Sequence, residues 1–362
     1  SERLIFNVIR RREMILNQSI KKKMNKQINI RKSISFLMSM LMFLGMIPFS
    51  TGIAYAEERN GITSLDKLEA KEYIYMGVQG SGLQGAGKEI KWRVLDKNDN
   101  NGTEHGLFLL SEELLGSGND GGVKFYNSMP FQPDWQGSDA QKWCKEFSGE
   151  VLGATTSLDP KELDAILSIE KTDKGYKDAS GFDYKDMKKI LDKDKVFFLS
   201  PREVEKEYLI NTDERKGKYN NDVGKWWLRY PSFYAARIVD ANGETGNESF
   251  TNPLPVRPAF NLEKSKVMYI SPAEDGKNKN EVGALEKVAS TNTTEWKLTL
   301  KDSARGSFTA SKSKQHGMEV TINYDNAKTG TNEYLSAVVT DKSNTEIKYY
   351  GRIEKLERVK LF

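Results

Sequence analysis

The chain has few of the side chains that most enzymes use for metal binding or nucleophilic attack. Its 362 residues include one cysteine, Cys144, and two histidines, His105 and His316. A single cysteine excludes an intrachain disulfide framework and a thiolate zinc site. The longest apolar run, at 34–47, is interrupted by serine and glycine. These absences argue against much of the enzyme repertoire.

The positive net charge belongs to one end of the chain. Residues 1–56 contain ten basic and two acidic residues, so the remainder has 45 basic and 49 acidic residues against 55 and 51 in the whole chain. A nucleic-acid-binding domain needs a basic patch on its folded part, and this balance predicts no nucleic-acid partner. With 10% aromatic residues the chain can bury a core, which argues against wholesale disorder.

Residues 24–56 have the pattern of a secretory signal peptide. A basic stretch precedes the apolar run, and Ala54-Tyr55-Ala56 then supplies small residues at the two positions that a signal peptidase reads. The alternative is an uncleaved membrane anchor, but the run is shorter than the roughly 20 residues of a spanning helix. We therefore expect a secreted or cell-surface protein that meets the membrane only through this segment during export.

Both ends of the chain suggest irregular boundaries. The first residue is serine, and Met24 opens the signal-like pattern, so residues 1–23 are predicted to be an over-extended N-terminus. The last residues stop without a turn or tail, and we expect the C-terminal domain to be truncated.

Residues 64–263 are predicted to form an α+β domain. Ser138 is a predicted helix N-cap, Pro160 fits the first turn of a second helix, and Ser200 with Glu203 forms a capping box for a third. Residues 170–195 are polar and are predicted to be a surface loop with a short helix near 184–191. The remaining pattern predicts strands at 73–76, 90–95, 107–110, 196–199, 226–231, 235–239 and 255–262, the last confined towards an edge by its prolines.

A second domain is predicted after a polar linker at 264–284. Beyond it, apolar and polar residues alternate at 295–300, 318–324, 334–340 and 347–353. Period-two strands separated by Asp, Asn, Gly and Ser turns are typical of an all-β sandwich. We expect residues 285–362 to form a small immunoglobulin-like sandwich that acts as a spacer.

Four segments of the first domain, at 91–95, 107–111, 226–229 and 256–260, together resemble the domain of unknown function 6273 family. The most specific feature is the pair Trp226-Trp227 with Leu-Arg, followed at 256 by Val-Arg-Pro-Ala. Family members usually have Ser or Thr before the next proline, where this chain has Tyr230. The family occurs in secreted and surface proteins of Firmicutes-type bacteria. The resemblance implies a C-type-lectin-like fold, also seen in formylglycine-generating enzymes, and it supplies no catalytic residues.

The sequence lacks the residues that the enzymatic interpretations require. Formylglycine-type oxidation relies on a cysteine pair, whereas Cys144 stands alone and is interpreted as a buried thiol. A glycosidase needs two carboxylates about 5–9.5 Å apart, and Asp134 beside Trp135 or Asp240 near Glu244 could be proposed. A serine triad would need a histidine from a predicted loop, without a nucleophile elbow.

A calcium site could use Asp240, Asn242 and Glu244, which alternate around a turn. The pattern lacks the other positions and flanking helices of an EF-hand. An ordinary Asn-Gly turn is the favoured interpretation. We therefore expect no cofactor, with calcium left open.

The binding hypothesis centres on the aromatic cluster that contains Trp226, Trp227, Arg229 and Tyr230. Adjacent strand residues point to opposite faces, so one tryptophan should be buried and the other could be exposed as a stacking platform. The alternative is that both rings are structural and Arg229 pairs with a carboxylate. Arg257 is likewise interpreted as an ion-pair partner.

The sequence therefore favours a non-enzymatic, adhesin-like binding module of an exported bacterial protein, recognising a glycan or a surface protein. A secreted cell-wall or glycan hydrolase is the competing class, and a structural surface component is the third. The candidate ligand-binding residues are Trp226, Trp227, Arg229, Tyr230, Asp240 and Asn242.

Overall fold

The chain folds into a mostly β structure with two compact units. A computed structural model describes residues 3–10, 26–30, 59–80, 87–116, 122–130, 132–151, 157–178, 181, 183–184, 187–219, 222–231, 235–274, 285–316, 319–329, 333–341 and 346–356. The larger unit comprises residues 65–274 and 294–301. The smaller unit comprises residues 1–64, 275–293 and 302–362.

The unit boundaries differ from those predicted. The predicted linker 264–284 contains the strand Val267–Pro272. This strand pairs with Glu295–Leu300, which in turn lies parallel to Tyr73–Val78. The alternating pattern of 295–300 was therefore correctly predicted to be a strand, but the strand belongs to the larger unit, because its apolar side chains complete that unit's sheet.

A seven-stranded sheet is the centre of the larger unit. Its strands, in spatial order, are Val196–Phe198, Pro258–Glu263, Gly106–Ser111, Glu89–Asp96, Tyr73–Val78, Glu295–Leu300 and Val267–Pro272. All six residues of Gly106–Ser111 are buried, as expected of a strand with both faces covered. The prediction that the Pro258 strand lies at an edge is wrong, because Val196–Phe198 pairs with its outer side.

Aromatic side chains fill the core against this sheet. Trp92 makes edge contacts with Phe260 and Phe147, at centroid distances of 4.6 and 6.3 Å. Its indole N–H donates to the carbonyl of Met76 at 2.8 Å. A ring of this size contributes through buried area and satisfies its one donor internally.

The helices of the larger unit begin as their cap residues predict. Ser138 caps the helix Asp139–Ser148, with its hydroxyl accepting the N–H of Gln141. Asp159 and Glu162 form a capping box for Pro160–Asp164. The other helical segments are Leu65–Lys67, the π-helical turn Glu203–Glu207, Thr212–Arg215 and Lys264–Lys266.

Residues 170–195 differ most from the prediction. The segment is not a loop with a helix but contains the strand pair Ile169–Asp173 and Met187–Asp194, with the small pair Tyr176–Lys177 and Asp183–Tyr184 between them. Its few apolar residues, including Ile190 and Leu191, are buried. Burial of these side chains against the core outweighs the polar local composition.

Three further strands carry the tryptophan pair. Trp226–Pro231, Ala235–Val239 and Thr245–Ser249 form an antiparallel sheet in chain order. A separate hairpin pairs Gly217–Tyr219 with Asp222–Gly224.

The smaller unit is built from strands. Arg3–Arg10 pairs with Glu333–Thr340, and Lys26–Ile30 pairs with Glu319–Asp325. The predicted strands at 334–340 and 347–353 are confirmed, and the one predicted at 318–324 is confirmed over its described residues, 319–324. The described residues of this unit also form the strands Arg59–Asn60, Glu286–Lys287, Ser290–Thr291, Thr309–His316 and Ile347–Lys355 and a 3-10 turn at Ser303–Arg305.

Most of the predicted signal peptide lies outside the described residues. Of 24–56, only Lys26–Ile30 is described, and the apolar run and the Ala-Tyr-Ala site are not among the ranges above. Within the described ranges, no helix is long and apolar enough to cross a bilayer.

Candidate functional site

The tryptophan pair is part of the core. Trp226 and Trp227 are both 0% exposed, so the expectation that one ring is open to a ligand is wrong. Their indole N–H groups donate to the carbonyls of Arg215, at 3.0 Å, and Val123, at 2.6 Å. The two side chains point to opposite faces of the strand. Neither ring is exposed, because protein covers both faces.

Arg229 is the centre of a buried ion-pair network. Its guanidinium binds Asp173 through Nε and Nη2, at 3.0 and 2.6 Å, and Nη1 reaches Glu203 Oε2 at 2.6 Å. Nη1 also donates to the carbonyl of Phe198 at 2.7 Å. The interpretation of Arg229 as a partner of carboxylates is confirmed. It is a structural cation with no exposed surface.

Lys171 and two asparagines extend this network. Lys171 Nζ donates to Glu203 Oε1 and to the carbonyl of Asn100, each at 2.6 Å. The side chain of Asn261 accepts the N–H of Asn100 at 2.9 Å. The network thus ties the 169–173 strand to the central sheet.

Burial and neighbouring charges shift the pKa values of the two carboxylates of the network in opposite directions. Burial opposes ionisation of Glu203, but the charges of Arg229 and Lys171 outweigh it and hold its pKa below the usual range. Burial raises the pKa of Asp173 despite the charge of Arg229. Two positive and two negative charges balance, which is how charges are tolerated inside a protein.

Arg257 is fully buried beside the tryptophan pair. Its Nε donates to the carbonyl of Ser111 at 3.0 Å, and its guanidinium lies 5.1 Å from the Trp226 ring centroid. Nη2 is 3.9 Å from a carboxylate oxygen of Glu112. Burial, and then the charge of Arg93, lower the pKa of Arg257. The residue has the structural position predicted for it.

Asp240 and Asn242 lie in a self-contained turn. Oδ1 of Asp240 accepts the backbone N–H groups of Asn242 and Glu244, each at 2.9 Å, and Gly243 has φ 86°. This is the Asn-Gly turn predicted as the favoured reading, with the aspartate oxygen used locally. Among the described residues, no three His, Cys, Asp or Glu side chains group in a way that could hold a metal ion.

The other catalytic candidates are dispersed. Cys144 is buried, and burial followed by the charge of Asp194 raises the pKa of its thiol well above the ordinary value. His105 and Asp134 are exposed. The side chain of His316 lies outside the described part of the structure. A buried thiol with a raised pKa is inert.

A stack of tyrosines lies where the sequence predicted a loop. Tyr176 and Tyr184 are cross-strand neighbours whose rings are parallel, with centroids 4.7 Å apart and an interplanar angle of 3°. The guanidinium of Arg237 lies 5.0 Å from the Tyr184 centroid, and Lys206 Nζ lies 5.9 Å from that of Tyr176. We call these four residues the tyrosine stack. Tyr230, a predicted site residue, packs its ring edge-on to Tyr184 at 4.9 Å.

Hydrogen bonds hold the inner end of the tyrosine stack. Arg237 pairs with Asp178 at 3.3 Å and donates to the side-chain oxygens of Asn247 at 3.1 Å and Thr245 at 3.3 Å. The Thr245 hydroxyl also bonds to Glu205. Ring stacking and cation–π contact add to these bonds, so the inner end is rigid.

The outer end of the tyrosine stack is partly exposed within the described structure. Tyr176 is half-buried, but its hydroxyl is covered, and burial followed by the charge of Glu205 raises its pKa. The accessible part of the side chain is therefore the ring. Beyond it lies Lys206, which is exposed and makes no ion pair within the described residues.

Sequence reasoning missed Tyr176, Tyr184, Arg237 and Lys206. The two tyrosines are separated by a polar stretch with a glycine, Gly181, at φ 85°. Aromatic residues on both sides of a glycine turn are a hairpin signal. This signal was available in the sequence but was outweighed by the polar composition.

Comparison with known proteins identifies the region that carries the stack. Residues 107–264 match the family model described as Domain of unknown function (DUF6273). The resemblance inferred from the sequence is confirmed for this part of the chain. The DUF6273 region includes the tryptophan pair, the Arg229 network apart from Asn100, and the whole tyrosine stack. No curated protein and no solved structure matches the chain.

Proposed function

We propose that the DUF6273 region is a non-enzymatic binding module of an exported protein, and that it recognises a glycan at the outer face of Tyr176. The observation that carries this is a half-buried tyrosine whose hydroxyl is turned inward. Its ring is stacked on Tyr184 and, among the described residues, is also approached by the exposed Lys206. Sugar rings stack on such aromatic faces through their C–H groups, while nearby polar groups take up their hydroxyls.

Tyr230 connects this proposal to the aromatic cluster of the sequence. It is half-buried and supports Tyr184 from the side. In this proposal the buried tryptophans support the site from the core. Arg229 binds Asp173 and so holds the 169–173 strand, which leads into the tyrosine hairpin.

The test is glycan-array binding by the purified protein and by Tyr176→Ala. We expect Tyr176→Ala to lose binding and Tyr176→Phe to keep it, because the hydroxyl is turned inward. Tyr219→Ala is the matched control, since Tyr219 is also half-buried but belongs to a different hairpin. Binding that survives Tyr176→Ala in a folded protein contradicts the proposal.

The competing hydrolase function would use Asp173 and Glu203, whose pKa values are shifted in opposite directions. Opposed shifts are typical of an acid and a nucleophile. Both carboxylates are buried and already bound by Arg229, however, so a sugar ring cannot reach them without breaking these ion pairs. Polysaccharide turnover that is lost in a folded Asp173→Asn variant would favour the hydrolase.

The proposal includes export of the protein and the folds of its two units. The signal-like segment 24–56 supports secretion, and N-terminal sequencing of the secreted protein should find Glu57 first. The DUF6273 resemblance supports a C-type-lectin-like arrangement for the larger unit, and the paired strands of the smaller unit support an immunoglobulin-like sandwich. Superposition of an experimental structure on proteins of each fold tests both.

A further inference from the structure

The charges around the outer end of the tyrosine stack are unequal. Lys206 is exposed, approaches the ring of Tyr176 and has no carboxylate partner within the described residues. Lys174, two positions before Tyr176 in the chain, is also exposed and makes no ion pair in that part of the structure. An unpaired cation such as Lys206 beside a partly exposed ring favours a negatively charged ligand.

The two carboxylates nearest the tyrosine stack have partners at its inner end. Asp178 is bound to Arg237 at 3.3 Å at the inner end of the stack. Glu205 is half-buried and accepts the Thr245 hydroxyl.

The other charged side chains beside the stack are either ion-paired or lie on the face away from the Tyr176 ring. Glu207 is paired with Arg202 at 2.7 Å. Lys177 and Asp183 are opposite each other in the small hairpin. Side chains next to each other along a strand point to opposite faces, so this pair lies on the side away from the Tyr176 ring.

We infer that the ligand is an acidic saccharide whose sugar ring stacks on Tyr176 while its carboxylate binds Lys206. This rests on the proposed function and names its substrate class. A uronic acid has both features: an apolar C–H face for the ring and a carboxylate at the edge of the same ring. Lys206 serves as a flexible charge that moves from the tyrosine face to the carboxylate when the sugar binds.

Calorimetry with a galacturonic acid hexamer and its methyl ester tests the inference, because the two ligands share the ring and differ only in charge. We expect the acid form to bind at least fivefold more tightly at low salt, with most of that preference lost at 0.5 M NaCl. Lys206→Gln should remove the preference. Lys218→Gln, at an exposed lysine of another hairpin without an ion pair in the described residues, should keep it.

The outcomes separate this inference from the proposed function. Equal binding of acid and ester, both lost in Tyr176→Ala, overturns the acidic ligand and retains the glycan module. Binding of neither the acid hexamer nor its methyl ester, with a neutral glycan captured on the array, also overturns the acidic ligand. Binding to peptides alone, or binding that is indifferent to Tyr176→Ala, overturns both.

Discussion

Glu203 and Arg229 meet in the interior of the larger unit, with 2.6 Å between Oε2 of the carboxylate and Nη1 of the guanidinium. The same oxygen accepts the backbone N–H of Ser200 at 2.8 Å, and Ser200 Oγ accepts that of Glu203 at 3.2 Å. One carboxylate therefore closes a capping box and neutralises a buried cation. The helical turn and the tryptophan strand are joined through it.

Removal of the buried cation should destabilise the larger unit strongly. Arg229→Ala leaves Asp173 without its ion-pair partner and Glu203 with Lys171 alone, and we expect a loss of roughly 3–5 kcal/mol in the free energy of unfolding. All six tryptophans lie in the larger unit, so urea unfolding followed by tryptophan fluorescence reports on it selectively. Arg202→Ala removes a partly exposed pair with Glu207 and should cost about 0–1 kcal/mol. Similar losses in the two variants would contradict the role assigned to Arg229.

Loss of a buried indole should lower the stability of the fold, and binding should be affected only through that loss of stability. Trp227→Ala opens a cavity and removes one of the two donors to the Val123 carbonyl, which keeps the N–H of Leu254, at a cost of roughly 3–5 kcal/mol. Trp143→Ala, at a half-buried ring, should cost less. Thermal melting measures both. A fully stable Trp227→Ala protein that no longer binds glycan would show that this tryptophan contacts the ligand after all.

Acid should remove part of the stability that Glu203 provides. Its pKa in the folded protein lies below the ordinary value of 4.5, so its contribution is present above about pH 4.5 and is lost as the pH falls towards the folded value. Asp173 acts in the opposite sense because its folded pKa is raised. The comparison with Glu203→Gln isolates the first effect.

The measured quantity is the stability difference between wild type and Glu203→Gln at several pH values from 7 to 3. We expect the wild type to be more stable at pH 7 and the difference to shrink below about pH 4.5. A difference that grows with acidity would show that the carboxylate is strained rather than stabilised.

The single thiol should be unreactive in the folded protein. Cys144 is completely buried and its pKa is raised, so little thiolate is present at neutral pH. Titration with Ellman's reagent should give no rapid signal in buffer and one thiol per chain in denaturant. Fast labelling of the native protein would mean that the helix Asp139–Ser148 opens readily.

The Asp240 turn leads to a prediction about calcium. Asp240→Ala removes two hydrogen bonds to backbone N–H groups and should cost about 1 kcal/mol. Because the aspartate oxygen is used by the turn, we expect the wild-type melting temperature to be the same in calcium and in EDTA. A calcium-dependent increase that is absent from Asp240→Ala would instead support a calcium site.

Local chemistry determined much of the fold. Ser138, Asp159 and Ser200 each cap the helix that follows them, because a cap bond joins residues within one turn. Strands were also predictable at 90–95 and 107–110, since their apolar residues are contiguous or alternate.

Tertiary contacts decided the rest. The segment 170–195 has a loop-like composition, yet Ile190 and Leu191 find places in a core contributed by distant parts of the chain. Local patterns could not show that both faces of the tryptophan strand are covered, because the residues that cover them come from elsewhere in the sequence.

The sequence alone determined the caps and most of the strands. It also offered the pairing of Arg229 with a carboxylate as one of two alternatives. Only the tertiary structure chose Asp173 and Glu203 as the partners, buried both tryptophans and brought Tyr176 beside Lys206. The physical reason is distance along the chain. Caps and strand periodicity act within a few residues, whereas ion pairs and ring stacks depend on which remote segments the packed core brings together.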